Sequence, residues 1–151
     1  MRIRRYGLSD AAEVAELFRK TVWEVCASDY TYQELSAWAP DDIDPEIWAE
    51  RFSDQYSIVA VADDGSLCGF ASASTPDRYV DMLYVRAGDV GHGVGKLLLK
   101  ALEAEMKGVI SVYASDTARS FFHHMGYEVV RENFVVRNGV RIRNWYMEKP
   151  F

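Results

Sequence analysis

The sequence predicts a single α/β (α+β) domain over residues 1–151, in which a mixed, mostly antiparallel sheet of about six to seven strands is flanked by helices. Three observations predict this fold. Apolar residues recur at helical spacing in the first third of the chain, and strand patterns follow from Ser57 onward. Residues 81–99 then combine a strand, a glycine-rich turn and an amphipathic helix. The length of 151 residues suits one domain with a substantial core.

Capping residues mark three helix starts in the first third of the chain. Asp10 and Glu13 have the spacing of a capping box at the start of a first helix. Thr31 and Glu34 match that box better and predict a second, short helix. Asp44, followed by a proline, predicts a third helix because aspartate favours the N-cap and proline the first helical position.

Strand patterns dominate the middle of the chain. Residues 58–62 and 67–73 are apolar or small, and the Asp-Asp-Gly-Ser segment between them is typical of a hairpin turn. Residues 79–86 form the next strand pattern and lead into the glycine-rich turn. We therefore expect an antiparallel meander of three strands, with a further short strand at residues 2–6.

The last third predicts one parallel strand, one helix and a closing hairpin. A strand at residues 109–113 should run parallel to the strand before the glycine-rich turn, if a helix connects the two. Ser115 or Asp116 caps the final helix. Two strands within residues 127–147 are joined at Asn138-Gly139, a type I′ turn signal.

Composition excludes several classes of protein. Hydrophobic residues make up 49% of the chain and charged residues 26%, as in ordinary globular proteins. The net charge of -6 argues against a nucleic-acid partner. The N-terminal residues lack the apolar run of a secretory signal, and no stretch approaches the ~20 apolar residues of a membrane span. Cys26 and Cys68 have no metal-ligand spacing, so we expect reduced thiols, no metal, no membrane and a cytoplasmic location.

Three alternating glycines precede the amphipathic helix. They are Gly91, Gly93 and Gly95, and apolar residues at helical spacing follow them. A helix N-terminus presents backbone N–H groups without internal partners, and its dipole favours an anion. The segment therefore predicts a cradle for a diphosphate. The alternative is an ordinary strand–turn–helix whose glycines only permit close packing.

Two familiar phosphate-binding signatures do not match this segment. The nucleoside-triphosphate loop would place its first glycine at Val90 and its hydroxyl at Leu97. The dinucleotide fingerprint would need a glycine at Lys96. A third signature matches: Gly93 and Gly95 fit the acyl-CoA loop Q/R-x-x-G-x-G/A of the GNAT acetyltransferase superfamily, with Val90 where Gln or Arg is usual.

The resemblance to GNAT acetyltransferases extends over nearly the whole chain. The order of predicted elements is similar to that fold. The segment Ala118-x-x-Phe121-Phe122-x-x-x-Gly126-Tyr127 resembles the superfamily's A-x-x-F-Y-x-x-x-G-F motif. The residues around Thr31 and Glu34, through to a proline at position 40, resemble an uncharacterised bacterial subgroup.

That resemblance implies an acetyl-CoA-dependent N-acetyltransferase, whose acceptor is a small-molecule amine or a protein amino group. The strand that carries Leu83, Tyr84 and Val85 would splay from the parallel strand at residues 109–113, and its unpaired backbone would bind the pantetheine amides. Backbone N–H groups would hold the pyrophosphate, and the residues concerned are Val90, Gly91, His92, Gly93, Val94, Gly95 and Lys96. The pantetheine and thioester would be flanked by Ser115, Ala118, Phe121 and Phe122.

The resemblance also suggests where an amine would be activated. An attacking amine must be neutral, so a carboxylate or a bridged water usually takes its proton. Asp81 lies at a strand position where the superfamily often has Glu, and strand alternation would put it in phase with Leu83 and Val85. We expect Asp81 to act as a base or an amine anchor. A structural hydrogen-bond acceptor is the alternative.

The usual general acid of the superfamily is replaced here. The tyrosine of its F-Y pair corresponds to Phe122, which has no proton to donate. Tyr113, at the end of the neighbouring strand, is the candidate substitute. Tyr127 and His123 are further alternatives, and a CoA thiolate can also leave without a dedicated acid. A catalytically silent acyl-CoA-binding module is therefore the competing function.

Aromatic and acidic residues are concentrated between residues 23 and 52. Trp23, Tyr30, Tyr32 and Trp38 lie among several aspartates and glutamates and could bind an organic cation by cation–π contact and charge. The alternative is that the aromatics form the core of short helices and the acids are solvated caps. The closing hairpin also offers an edge through which two copies could form a homodimer.

Overall fold

Seven strands form one sheet in the order β1-β2-β3-β4-β5-β7-β6. The computed structural model describes residues 1–150. The strands are β1 (Arg2–Arg5), β2 (Tyr56–Val61), β3 (Leu67–Ser74), β4 (Tyr79–Val85), β5 (Ile110–Ser115), β6 (Glu128–Arg137) and β7 (Val140–Lys149). The helices are α1 (Ala11–Val25), α2 (Tyr32–Trp38), α3 (Pro45–Ser53), α4 (Val94–Glu103) and α5 (Arg119–His124).

Strand pairing confirms the predicted fold class and topology. The strands β2, β3 and β4 form an antiparallel meander, and β1 adds to it by pairing with β2. The pair β4–β5 is parallel and is connected through α4, as a βαβ crossover requires. The remaining pairs are antiparallel. The sheet is thus mixed and mostly antiparallel, with helices on both faces.

Each face of the sheet buries its own apolar cluster. On one face α1, α2 and α3 cover a cluster that includes Phe18, Phe52 and Phe70. On the other face α4 and α5 cover a cluster that includes Leu98 and Phe122. Burying a large apolar side chain stabilises a fold by about 1.5–3 kcal/mol, so these two clusters hold the helices in place.

Two of the three helix caps predicted in the first third of the chain are confirmed. The Thr31 hydroxyl accepts from the N–H of Glu34 at 3.1 Å, and the Glu34 carboxylate accepts from the N–H of Thr31 at 2.8 Å. Asp44 accepts from the N–H of Glu46 at 2.9 Å at the start of α3. These reciprocal bonds satisfy donors that a helix start would otherwise leave unpaired.

The capping box predicted at the first helix is wrong. Asp10 precedes α1, but its carboxylate instead accepts two hydrogen bonds from Arg4 and one from the N–H of Gly7. Glu13 accepts from the N–H of Leu67, which begins β3, at 2.8 Å. Both acids therefore tie the start of the helix to the sheet, and α1 begins without a side-chain cap.

The strand β6 lies at one edge of the sheet and carries exposed apolar side chains, among them Val130, Phe134 and Val136. Pairing of two copies through this edge stays a prediction. Within residues 1–150, none of the helices has both the length and the apolar character needed to cross a bilayer.

Candidate functional site

The parallel strands β4 and β5 separate after a short contact. Their only paired residues in the described chain are Tyr79 with Ser111 and Val80 with Val112. Beyond these pairs, the β5-facing side of residues 81–85 has no strand partner, while the other side stays paired with β3. The predicted splay is confirmed, and it leaves backbone groups free to bind an extended ligand as an added strand would.

A β-bulge changes the direction of Asp81. On β3, Ser72 pairs with Met82 and the next residue, Ala73, pairs with Val80, so Asp81 is the extra residue of the bulge. The expectation that Asp81 is in phase with Leu83 is therefore wrong. Its carboxylate faces α3 instead, since a bulge interrupts the alternation on which that expectation depended.

The Asp81 carboxylate is held by three hydrogen bonds. Arg51 of α3 donates from Nη2 to one oxygen at 2.8 Å and from Nε to the other at 3.0 Å, and Gln55 Nε2 donates to that second oxygen at 3.0 Å. The Asp81 side chain is only 10% exposed, whereas that of Arg51 is 46% exposed. The bidentate pair fixes the orientation of the carboxylate.

A cavity of about 620 Å³ opens where the two strands separate. Its floor is β4 and β5, and Asp81 and Tyr113 both line it. One wall comes from α2 and α3, and the opposite wall from the β6–β7 hairpin. Volumes of 300–1,000 Å³ are typical of small-molecule sites, so the cavity is large enough for a small acceptor together with the end of a cofactor.

Two tyrosines lie beside Asp81 in this cavity. The ring centroids of Tyr79 and Tyr113 are 6.0 Å apart. The hydroxyl of Tyr113 accepts from Arg131 Nη2 at 3.2 Å. Burial, and then the charge of Asp81, raise the pKa of Tyr79 to about 12, so this phenol keeps its proton at neutral pH. Tyr79 was not predicted as a site residue, because nothing in a strand pattern separates it from an ordinary buried tyrosine.

The other candidate acids lie away from the cavity. Tyr127 is fully buried, and its hydroxyl donates to Glu103 at 2.7 Å. His123 is exposed on α5. Phe122 does line the cavity and is buried, in contact with the ring of Tyr127 at a centroid distance of 5.3 Å. Tyr113 and Tyr79 therefore line the cavity together with Tyr30 and Tyr84, and the hydroxyl of Tyr30 is already bonded to two backbone groups.

The glycine-rich turn has the conformation of an anion cradle. Gly91 and Gly93 both have φ near 84° and, at each, an added Cβ would meet nothing within 4 Å. Within residues 1–150, no protein acceptor binds the backbone N–H groups of Gly93, Val94, Gly95 or Lys96. Such a row of free donors at the start of a ten-residue helix fits a diphosphate.

The third glycine serves packing. A Cβ at Gly95 would lie 3.2 Å from Cε1 of Phe121, so glycine lets α5 approach the start of α4. Val90, His92 and Lys96 are exposed around the turn. The packing alternative therefore holds for the third glycine, whereas the first two leave open space, and their binding of a diphosphate stays a prediction.

The predicted aromatic acceptor residues divide into two groups. Tyr30 and Trp38 line the cavity, and so does Trp48, which was not selected from the sequence. Trp23 and Tyr32 lie outside it, and the prediction is corrected for both. Trp23 Nε1 donates to the carbonyl of Ala39 at 2.8 Å, and Tyr32 is 78% exposed. The two rings contact each other at a centroid distance of 5.4 Å, outside the cavity.

Two residues at the start of α5 also border the cavity. The prediction that Ser115 or Asp116 caps the final helix is wrong, because α5 begins at Arg119 and its N-cap, Ala118, makes no side-chain cap bond. Ser115 Oγ instead accepts from the N–H of Ala118 at 3.1 Å, in the turn before the helix. Both line the cavity where β5 ends. They are thus close to the open side of the splayed strands, beside Phe122.

Tyr30 connects three parts of the chain. Its hydroxyl accepts from the N–H of Asp116 at 2.6 Å and donates to the carbonyl of Arg143 at 3.1 Å. We expect Tyr30→Phe to lower the free energy of unfolding by about 1–3 kcal/mol, because two backbone groups lose their partner. Chemical denaturation of both proteins measures this. Tyr32→Phe is the control and should change nothing; equal stabilities of the two variants would contradict the structural role of Tyr30.

Comparisons with known proteins agree with this geometry. Residues 26–149 match the family model described as an acetyltransferase (GNAT) domain. The chain is 32% identical over 151 residues to the uncharacterised N-acetyltransferase YafP of Escherichia coli K12, covering 99% of this chain and 97% of that protein.

Solved structures of N-acetyltransferases are also similar to this chain. A crystal structure from Rhodopseudomonas palustris, described as a GCN5-related N-acetyltransferase (aminotransferase, class II), is 36% identical with a TM-score of 0.93, and the match covers 99% of this chain and 95% of that one. The PaiA N-acetyltransferase of Thermoplasma acidophilum, solved in complex with coenzyme A, shares the fold at 19% identity with a TM-score of 0.78, covering 99% and 98%.

Proposed function

Because the chain belongs to the GNAT acetyltransferase family, we propose that it is an acetyl-CoA-dependent N-acetyltransferase that acetylates a primary amine by direct attack. One observation carries this proposal. The splayed strands β4 and β5 connect a row of free backbone N–H groups at the start of α4 with a cavity that contains a fixed carboxylate. The acceptor is a small molecule or a protein amino group.

The cofactor would extend from the glycine-rich turn into the cavity. The pyrophosphate would bind at the turn, where Gly91 and Gly93 leave open space. The pantetheine would pair with the free backbone of β4, as the open strand edge allows. The complete set of proposed cofactor contacts is Leu83, Tyr84, Val85, Val90, Gly91, His92, Gly93, Val94, Gly95, Lys96, Ser115, Ala118, Phe121 and Phe122.

The residues of the cavity suit the chemistry of acetyl transfer to an amine. Acetyl-CoA, when bound, supplies an acetyl group activated as a thioester. Asp81 would bind the incoming ammonium group and accept its proton, directly or through a water molecule. An unpaired backbone N–H near Val85 would stabilise negative charge on the acetyl oxygen. Tyr113 would protonate the departing thiolate, and Tyr79 is the alternative donor.

Titration calorimetry with acetyl-CoA tests the cofactor site. We expect micromolar binding of acetyl-CoA and no binding of ATP or NAD at the same concentrations, because the loop lacks the residues that those nucleotides require. Thiol release with a panel of primary amines then measures turnover. Failure to bind acetyl-CoA would contradict the proposal directly.

Two residues favour one competing function, a catalytically silent acyl-CoA-binding module. Phe122 stands where a proton donor is usual, and Val90 stands where Gln or Arg is usual in the acyl-CoA loop. Both functions predict acetyl-CoA binding. Tight binding without release of thiol for any amine would therefore favour the silent module.

A further inference from the structure

The two walls of the cavity differ in chemistry. The wall from α2, α3 and the segment between them is mostly apolar and aromatic, with Trp38, Ile43, Ile47 and Trp48, and its charged side chains are Asp44 and Arg51. The ring of Trp48 packs on Phe18 at a centroid distance of 4.4 Å, which keeps it in place. This wall suits the apolar or aromatic body of a small molecule rather than a charged group.

The wall from the β6–β7 hairpin is more polar, although Val135 and Ile142 also belong to it. Asn133 and Asn144 line the cavity and pair with each other, with Nδ2 of Asn133 donating to Oδ1 of Asn144 at 2.8 Å. Arg137, at the end of β6, also lines the cavity. The wall thus presents amide groups and a guanidinium to whatever the cavity holds.

The hairpin is anchored against the helices, so these polar groups have a defined position. Nδ2 of Asn138, in the turn after Arg137, donates to the carbonyl of Ala37 in α2 at 3.0 Å. The carbonyl of Arg143 in β7 accepts from Tyr30 at 3.1 Å. Two ties to separate parts of the helical layer therefore hold the wall in place beside the cavity.

Arg137 differs from the other two arginines of the cavity. Arg51 pairs with Asp81, and Arg143 pairs with Asp116 and Glu132. Arg137 has no acidic partner within 4 Å among residues 1–150. Its charge, like that of Arg51, partly offsets the rise in the pKa of Tyr79, which lies two residues before Asp81 in β4. An uncommitted cation therefore lies within electrostatic reach of the centre of the cavity.

Acidic groups of the cavity, by contrast, are few. Only Asp44 and Asp81 contribute carboxylates to its lining among the described residues. Asp44 caps α3, and Asp81 is shared with Arg51 and Gln55. The many acids near the aromatic residues therefore do not make this a site for a polycation, despite the net charge of -6.

We propose that the acetyl acceptor is a small primary amine that also carries a carboxylate, which binds Arg137 while the amine reaches Asp81 and the apolar body lies on Trp48. This inference rests on the proposed acetyltransferase function and names the substrate class of that site. A guanidinium and a carboxylate form a charge-assisted pair in two parallel hydrogen bonds, so Arg137 both selects and orients such an acceptor.

Matched pairs of amines with and without the carboxylate test this inference. The probes are phenylalanine with 2-phenylethylamine, and tryptophan with tryptamine, each assayed by thiol release at saturating acetyl-CoA. For the native protein we expect kcat/KM to favour the carboxylate-bearing member of a pair. Arg137→Gln should reduce that preference about 10- to 100-fold, mainly through KM, because one charge-assisted contact is lost.

Arg141→Gln is the matched control. Arg141 lies on the same hairpin, but its guanidinium stacks on the ring of Phe134 at 3.8 Å and does not line the cavity. This variant should keep the native preference. An equal loss in both variants, or a native preference for the amines without a carboxylate, would overturn the inference.

The remaining outcomes separate the inference from the proposed function. Binding of acetyl-CoA with no acetylation of any carboxylate-bearing probe would overturn the inference and leave the cofactor site intact. Acetylation of protein or peptide amino groups in place of these probes would likewise overturn it. Absence of acetyl-CoA binding would overturn the proposed function itself, on which the inference rests.

Discussion

Replacing Gly93 by aspartate should weaken the binding of acetyl-CoA by at least about a hundredfold. Gly93 is the N-cap of α4, its added side chain would enter the open space of the turn, and a carboxylate there would face the pyrophosphate. Two unit charges 4 Å apart interact by about 4 kcal/mol at the effective dielectric constant of a protein surface. Titration calorimetry measures the affinity.

Two control variants separate this charge effect from backbone strain. Gly93→Ala introduces a Cβ at the same φ of 84° without a charge, and should bind acetyl-CoA more tightly than Gly93→Asp. Gly65→Asp introduces the same charged side chain at φ 89° in the β2–β3 turn, where a Cβ also meets open space, and should bind as the native protein does. Unchanged affinity of Gly93→Asp would contradict the assignment of the pyrophosphate site.

The second large effect is expected from Asp81→Asn, which should lower kcat about a hundredfold or more while changing acetyl-CoA affinity less than about twofold. Asparagine has nearly the same shape and can still accept from Arg51, but it neither attracts an ammonium group nor accepts its proton. Steady-state kinetics with an accepted amine measures kcat, and titration calorimetry measures the affinity for acetyl-CoA.

Asp77→Asn is the control for this experiment. Asp77 lies in the turn between β3 and β4, where its carboxylate accepts from Ser74 Oγ at 2.6 Å outside the cavity. Its replacement should leave kcat unchanged. Parallel losses of turnover and cofactor affinity in Asp81→Asn would mean that Asp81 supports the structure, since the ion pair with Arg51 joins α3 to β4.

Local patterns in the sequence predicted most of the fold. The capping box of Thr31 and Glu34, the turn at Asn138-Gly139 and the glycines before α4 all depend on interactions within a few residues. The structure confirms the box and the turn, where Asn138 and Gly139 have φ of 49° and 78°. The separation of β4 and β5 is encoded by no local pattern, and it was predicted only from the resemblance to GNAT acetyltransferases.

The composition of the candidate site depended on contacts between distant parts of the chain. The direction of Asp81 is set by a bulge, whose position is defined by pairing with β3. Its partner Arg51 is 30 residues away in sequence. Likewise, only the packing of the helices on the sheet decides that Trp48 of α3 lines the cavity and Trp23 of α1 does not.

The sequence by itself therefore determined the elements, their order and the glycine-rich turn before α4, because each is specified by residues that are neighbours along the chain. The tertiary structure decided which side chains share the cavity and which charges are already paired. Strand register and helix packing bring together residues far apart in sequence. For the same reason, Arg137 is distinguished from Arg141 only once the hairpin is placed against α2.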